Sequence, residues 1–299
     1  MRVVIAGGTG FLGTALVSRL REGGHAVTVL TRHPRTEQDV LWNPYGPPSS
    51  WARALEDADA AINLTGAPIA RRWTRAHKQE MRKSRVLSTR ALVAAMQSVR
   101  RMPATLVNAS AVGIYGDRGD ELLTEESAPG SGFLASLVEE WEKEAQSAAP
   151  DARVVLLRTG IALSREGGAL RQMALPFRLF AGGPLGSGRQ YVSWIHRDDW
   201  TAMVSWALTA AAVSGPLNAT APHPVTNLEL ARTLGRVLRR PAFMPAPAFA
   251  LRAVLGEMAE AILTGQRVLP AQAQTFGFDF RYPDLDGALR AIYGDHRHR

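Results

Sequence analysis

The sequence predicts an α/β protein built on a doubly wound parallel sheet, with a smaller carboxy-terminal lobe. Three observations carry this. Strand-like and helix-like segments alternate through the first half. The strand segments are almost uninterruptedly apolar, as in a sheet covered on both faces. Beyond Gly160, glycine and proline break the alternation. With 299 residues, 46% of them hydrophobic, the chain can bury a large core as one large domain or two smaller ones.

The first strand is Val3-Val4-Ile5-Ala6, followed by Gly7-Gly8-Thr9-Gly10-Phe11-Leu12-Gly13 and an amphipathic helix over about 14–24. A strand, a Gly-x-x-Gly-x-x-Gly turn and a helix bring backbone against a pyrophosphate. Gly7 permits the turn, Gly10 removes the Cβ that would face the phosphates, and Gly13 lets the helix lie close to the sheet. The first amides of that helix, aided by its dipole, meet the anion. A second strand at 26–31 closes the βαβ unit. A short segment at 40–42, a helix near 49–56, a strand at 60–64 and a long helix of roughly 74–99 follow. Then come a strand at 105–109, a helix near 131–149 and a strand at 153–157. These place a Rossmann-like dinucleotide domain in residues 1–160.

Residues 161–299 are assigned to the substrate lobe, across a soft boundary that the chain crosses more than once. Glycine and proline cluster there at 182–188 and 215–224, and Pro241, Pro245 and Pro247 precede a helix at about 248–264. The His-Arg-His-Arg tail at 296–299 reads as a frayed end.

Composition narrows the function. Zero cysteines exclude disulfides, thiol catalysis and cysteine-ligated metal, and no metal site is expected. The apolar runs fall short of a membrane span and the amino terminus enters a strand directly, so no membrane partner and a cytoplasmic location are expected. The formal charge is +8, yet only Lys78, Lys83 and Lys143 are lysine. The arginines are spread along the chain with no basic run interleaved with aromatics, so no nucleic-acid partner is expected.

The cofactor is read at the end of the second strand. An acid there accepts from a ribose 2′-hydroxyl and selects NAD, whereas a cation pairs with a 2′-phosphate. The segment reads Thr31-Arg32-His33-Pro34-Arg35, with no acid until Glu37. Arg32, joined by Arg35 and the Thr31 hydroxyl, suits bidentate phosphate recognition and favours NADP(H) over NAD. The alternative is a solvated arginine in an arginine-rich chain. Leu64-Thr65-Gly66-Ala67 gives a small-residue turn that lets backbone pass the cofactor, or an ordinary strand-to-helix loop.

These residues resemble the extended short-chain dehydrogenase/reductases. The glycine loop, Asn63-Leu64-Thr65-Gly66-Ala67, the segment 86–92 and Ser110-Ala111-Val112-Gly113-Ile114-Tyr115-Gly116 carry the likeness. More narrowly, the chain resembles the "epimerase family protein" branch, which ends in a domain of unknown function. That match rests on Trp42-Asn43-Pro44, Ser84-Arg85-Val86, Arg158-Thr159-Gly160, Gly182-Gly183-Pro184-Leu185-Gly186-Ser187-Gly188, Ser193-Trp194-Ile195-His196, Gln266-Arg267-Val268-Leu269-Pro270 and Gly277–Pro283. The resemblance adds Arg85 and Ala109 to the cofactor site. It implies an NADP-dependent oxidoreductase or epimerase-like enzyme acting on a small polar, anionic molecule. For the helix at 74–99 it implies a homodimer through a four-helix bundle, burial within the monomer being the alternative.

The family's chemistry needs a serine or threonine, a tyrosine, and a lysine four residues after the tyrosine. The lysine holds the nicotinamide ribose and lowers the phenol's pKa, so that the phenolate exchanges a proton while nicotinamide C4 exchanges a hydride. Ser110 fits the serine. The tyrosine position is Phe133 and the lysine position Leu137, and no Tyr-x-x-x-Lys occurs anywhere: Lys78, Lys83 and Lys143 follow Thr74, Gln79 and Glu139 at that distance. Two readings remain open. Either a substitute acid/base works beside Ser110, Tyr115 or His196 with Glu125, Glu126 and Asp198 as further candidates, or the protein binds NADP(H) without turnover as a sensor or regulator. Candidate substrate contacts are Arg158 at a strand end, Arg189 and Gln190 in the glycine-rich loop, Trp194, and Arg267.

Overall fold

The computed structural model of the protein describes residues 1–294, so the tail at 296–299 lies outside the described residues. The chain runs β1 (Arg2–Ala6), α1 (Phe11–Glu22), β2 (Ala26–Thr31), β3 (Asp39–Leu41), β4 (Ala60–Asn63), α2 (Arg75–Ser98), β5 (Thr105–Ala111) and β6 (Leu122–Leu123). It continues through α3 (Phe133–Gln146), β7 (Arg153–Thr159), β8 (Ile161–Leu163), α4 (Gly168–Arg178), β9 (Tyr191–Val192), β10 (Trp194–His196), α5 (Arg197–Thr209) and β11 (Gly215–Ala219). It closes with β12 (Val225–Thr226), α6 (Asn227–Leu238), α7 (Ala248–Leu255), α8 (Glu260–Leu263), β13 (Arg267–Val268), α9 (Ala271–Thr275) and α10 (Leu285–Tyr293).

Seven parallel strands form the central sheet in the order β11-β7-β5-β4-β1-β2-β3. The order reverses between β1 and β4, the place where open α/β sheets bind ligands. The pleat divides the apolar strands between two cores. Val3 and Ile5 face α1 and α5 in a layer that includes Leu16, Leu20, Trp200 and Met203. Val4 and Ala6 face the other way, with Leu92 and Met96 of α2 and Ala145 of α3. Both sheet faces are covered, which explains the unbroken apolar strands. The outer surfaces of α2 and α3 carry the ion pairs Arg82–Glu140 and Arg90–Glu144.

The last sheet strand comes from residues 215–219, after the chain has visited the second lobe. That lobe has its own core, with Leu163, Leu170, Phe177, Trp194, Leu230 and Leu289. Its strands pair β8 with β10 and β9 with β12, and β13 pairs with β6 of the first region.

Two local expectations differ from the structure. The segment near 49–56 is a 3₁₀ helix, Ser50–Leu55. The helix at 248–264 is broken, because Gly256 adopts φ 61° and a 3₁₀ turn separates α7 from α8. The glycine-rich loop at 182–188 is pinned to that segment. Met244 N donates to Gly182 O at 3.1 Å, and Ala246 N to Pro184 O at 2.9 Å. Among the described residues, no helix is long and apolar enough to cross a membrane and no group of three potential ligands could hold a metal ion.

Candidate functional site

The site lies over the carboxyl ends of β1, β4 and β5. Gly7 has φ 80°, and a Cβ there would fall 2.8 Å from the Leu64 carbonyl carbon. The β1 and β4 turns therefore touch through backbone alone. A Cβ on Gly13 would fall 2.4 Å from Gly7 O. Gly10 is different: only Gly7 O, at 3.4 Å, lies near its Cβ position, so space opens above it. Gly10 caps α1 without a side-chain hydrogen bond, and the first amides, on Phe11, Leu12 and Gly13, have no acceptor within the helix. An anion fits that cradle. Thr9 is exposed, and the Phe11 ring packs under the backbone of Gly167 and Gly168, tying the loop to the second lobe.

At the end of β2, the buried Thr31 hydroxyl accepts from His33 N. The exposed Arg32 and Arg35 have no carboxylate partner among the described residues; Asp39 accepts from the backbone N of Arg35 and Thr36. Trp42 is buried edge-on to Trp51, and Asn43 Oδ1 accepts from Tyr45 N. The motif Trp42-Asn43-Pro44 thus shapes the loop beside the two free arginines.

A buried polar layer underlies the β4 turn. Asn63 Nδ2 donates to Thr89 Oγ1 and Asn108 Oδ1, both at 2.7 Å. Asn63 Oδ1 accepts from the Thr65 hydroxyl at 2.6 Å. Ala67 N donates to Ser84 Oγ. Arg85 is buried, donates only to the Met81 and Ala67 carbonyls, and lies over the Trp141 ring. Its guanidinium sits against Gly66, where a Cβ would come within 3.0 Å. Burial without a carboxylate brings its pKa down to about 10. It is a desolvated cation without a counter-charge, at the turn assigned to the cofactor. Ala109 lies in β5, next to Asn108 of this layer.

The catalytic end differs from the expectations. Ser110 Oγ donates to Glu142 Oε1 at 2.5 Å. Arg158 grips the same carboxylate twice, at 2.8 and 2.9 Å, and donates to the Tyr115 hydroxyl at 3.0 Å. Tyr115 donates to Asn218 Oδ1 at 2.8 Å, and Glu125 Oε1 accepts from Asn218 N. Tyr115 has no exposed surface, and burial pushes its phenol above the usual range. It is a core residue whose hydroxyl is shared between Arg158 and Asn218. Arg158 is likewise buried, in an ion pair with Glu142. His196 caps α5: its Nδ1 accepts from Asp198 N, and its ring lies 4.0 Å from that of Tyr282. Burial holds its pKa below the ordinary value. Trp194 is fully buried and donates to His223 O.

Where the family places tyrosine, Phe133 packs edge-on to Trp73 beside Ile69, Leu137 and Met258, with Lys78 Nζ 5.0 Å from its ring centre. In the lobe, Gln190 Nε2 is held by the carbonyls of Leu185 and Ile262. Arg189 is exposed. Arg267 lies over the Tyr191 ring, with its Nε buried and unpartnered. Sequence reasoning missed Glu142, Asn218, Asn63 and Asn108. Glu142 left a signal: it falls beside Trp141 on the buried stripe of α3, where a carboxylate demands a partner.

Residues 3–219 match the model of the NAD dependent epimerase/dehydratase family, and residues 246–292 match a domain of unknown function, DUF1731. The chain is 42% identical to the epimerase family protein YfhF of Bacillus subtilis, over 99% of both chains. It is also 42% identical to the chloroplastic epimerase family protein SDR39U1 homolog of Arabidopsis thaliana, over 98% of this chain and 86% of that protein. The crystal structure of human epimerase family protein SDR39U1 (isoform 2) with NADPH superposes with a TM-score of 0.90 at 37% identity, covering 98% of this chain and 99% of that one.

Proposed function

Because the chain belongs to the NAD dependent epimerase/dehydratase family, we propose that it binds NADP(H) in the cleft above β1 and β4 and acts through that occupancy, without the family's phenol–amine proton relay. The glycine cradle supports pyrophosphate binding at the Gly10, Phe11 and Leu12 backbone. The unpaired Arg32 and Arg35 support a 2′-phosphate, in keeping with the NADPH of the human relative. Arg85 supplies a buried positive charge at the β4 turn. Bound NADP(H) supplies a hydride donor or acceptor at nicotinamide C4.

One observation carries the choice against the usual chemistry. Tyr115 and Arg158 have their polar atoms committed to buried partners, His196 Nδ1 is taken by the Asp198 backbone amide, and an apolar cluster around Phe133 stands where the phenol belongs. A sensor or regulatory protein needs only the holding half of the site. The ion-paired outer faces of α2 and α3 support a helix pair that belongs to the monomer.

The second reading, an oxidoreductase or epimerase-like enzyme on a small anionic substrate, is favoured by Ser110 and by the unpartnered Arg267 Nε. A titration of NADPH and NADH against Arg32→Asp tests the cofactor. NADPH affinity should fall by about a hundredfold and NADH affinity by only a few-fold; equal losses would remove the 2′-phosphate assignment. Exchange of the bound NADPH C4 hydrogen with an added polar substrate, abolished by Ser110→Ala, would replace the sensor reading with the enzyme.

A further inference from the structure

The second lobe exposes a set of large apolar side chains that neither core absorbs: Leu179, Phe180, Phe243, Met244, Phe249 and Val254. Leu179 and Phe180 follow α4, Phe243 and Met244 lie in the strap that leads into α7, and Phe249 and Val254 belong to α7 itself. The two stretches are joined by the Met244 N to Gly182 O hydrogen bond and by the Arg240 guanidinium, 4.6 Å from the Phe180 ring centre. Phe243 and Phe249 are 73% and 76% exposed, so they stand out from the surface and do not line a recess. No residue of α7 is buried.

The charge that these two stretches of chain carry has one sign. From 167 to 197 and from 230 to 256, every charged side chain is arginine; Asp198 and Glu257 are the next acids. Arg178, Arg239 and Arg240 have no carboxylate partner among the described residues, whereas Arg236 and Arg252 are paired. The backbone is strained at the same place. Among the described residues, Phe180 (φ 60°) and Arg239 (φ 55°) are two of the three non-glycine residues in the left-handed region. That conformation is costly for a bulky side chain, and here it presents an aromatic and a cation to solvent.

We propose that this face docks on an anionic phospholipid surface as a peripheral contact. Protruding apolar side chains collared by unpaired guanidinium groups suit a soft layer, into which the knobs sink while the arginines meet phosphates. The match is one of charge and relief. A second copy of this basic chain offers the wrong sign, and an acidic protein would need preformed pockets for each knob. The dinucleotide cleft takes no part, so the contact stands apart from the NADP(H) reading.

Sedimentation with vesicles of phosphatidylcholine alone, and of phosphatidylcholine mixed with phosphatidylglycerol, tests it on the full chain. Binding is expected only with the mixed vesicles and should weaken as salt rises. Arg239→Gln and Arg240→Gln should each weaken it about fivefold, and Phe243→Ser with Phe249→Ser should abolish it. Phe180→Gly separates docking from unfolding: it relieves the strain, so the Tm should rise while vesicle binding falls. No sedimentation with mixed vesicles at low salt would overturn the proposal. So would binding undiminished in the Phe243→Ser/Phe249→Ser variant, or a concentration-dependent dimer that the same variant abolishes.

Discussion

The two ends of the cleft are built on opposite plans. Over β1 the loop from Gly7 to Gly13 is small and partly exposed, and it leaves space above Gly10. Over β5, β7 and β11, the side chains of Ser110, Tyr115, Glu142, Arg158 and Asn218 are buried and bonded to one another. Holding an anion asks only for free amides and room. Proton transfer asks for a titratable group that a ligand can reach. The first requirement is met and the second is spent on stability.

That contrast can be broken from either side. The largest effect is expected in the filled end: Arg158→Met leaves the Glu142 carboxylate buried alone and should cost about 3–5 kcal/mol in chemical denaturation, much of it regained by adding Glu142→Leu. A loss within half a kcal/mol, on that same scale of paired-charge removal, would mean the network is wet and accessible after all. Next comes the open end. Gly13→Val drives carbon into Gly7 O and should weaken NADPH binding at least about a hundredfold in a calorimetric titration, a loss of about 2.7 kcal/mol. Unchanged affinity would move the nucleotide away from this loop.

A smaller effect follows from His196. Burial lowers its folded pKa, so the unfolded chain takes up the proton first. Its contribution is fully present above the unfolded value, about pH 6.5, and is lost as the pH falls through that value toward the folded one. His196→Asn keeps a cap acceptor without titrating, and its Tm should decline less than wild type below pH 6.5, by the equivalent of about 1 kcal/mol. A parallel decline would place the acid sensitivity elsewhere. The smallest effect is expected from Phe133→Tyr, which should confer no NADPH-dependent turnover, since Leu137 brings no charge to the new phenol. Robust turnover from that change alone would show that Lys78, beside the ring, serves as the missing amine.

The holding end was legible because its signals are local. Glycine spacing, a strand before it and a helix after it lie within the first 24 residues, and the arginines at the end of β2 follow from the same unit. The parallel sheet was legible from its unbroken apolar strands. The filled end was not, because its partners are distant in sequence: Tyr115 bonds Asn218 and Ser110 bonds Glu142, across more than thirty residues in each case. Arg158 was placed at the cleft by its strand end, and Trp194 and His196 by resemblance alone; the burial of all three depends on packing between distant segments. The break in the 248–264 helix was hidden for a related reason. Gly256 can sit in a helix at modest cost, and the contacts around it decide otherwise.

The short bond between Ser110 and Glu142 has a consequence for any visitor to the cleft. The hydroxyl's single hydrogen is already given away, and the carboxylate receiving it is pinned by a guanidinium. What the oxygen offers outward is lone pairs alone. Were that buried end opened to a ligand, a ketone or aldehyde would find no hydrogen on this oxygen to polarise it, whereas an alcohol, amine or carboxamide would bring its own.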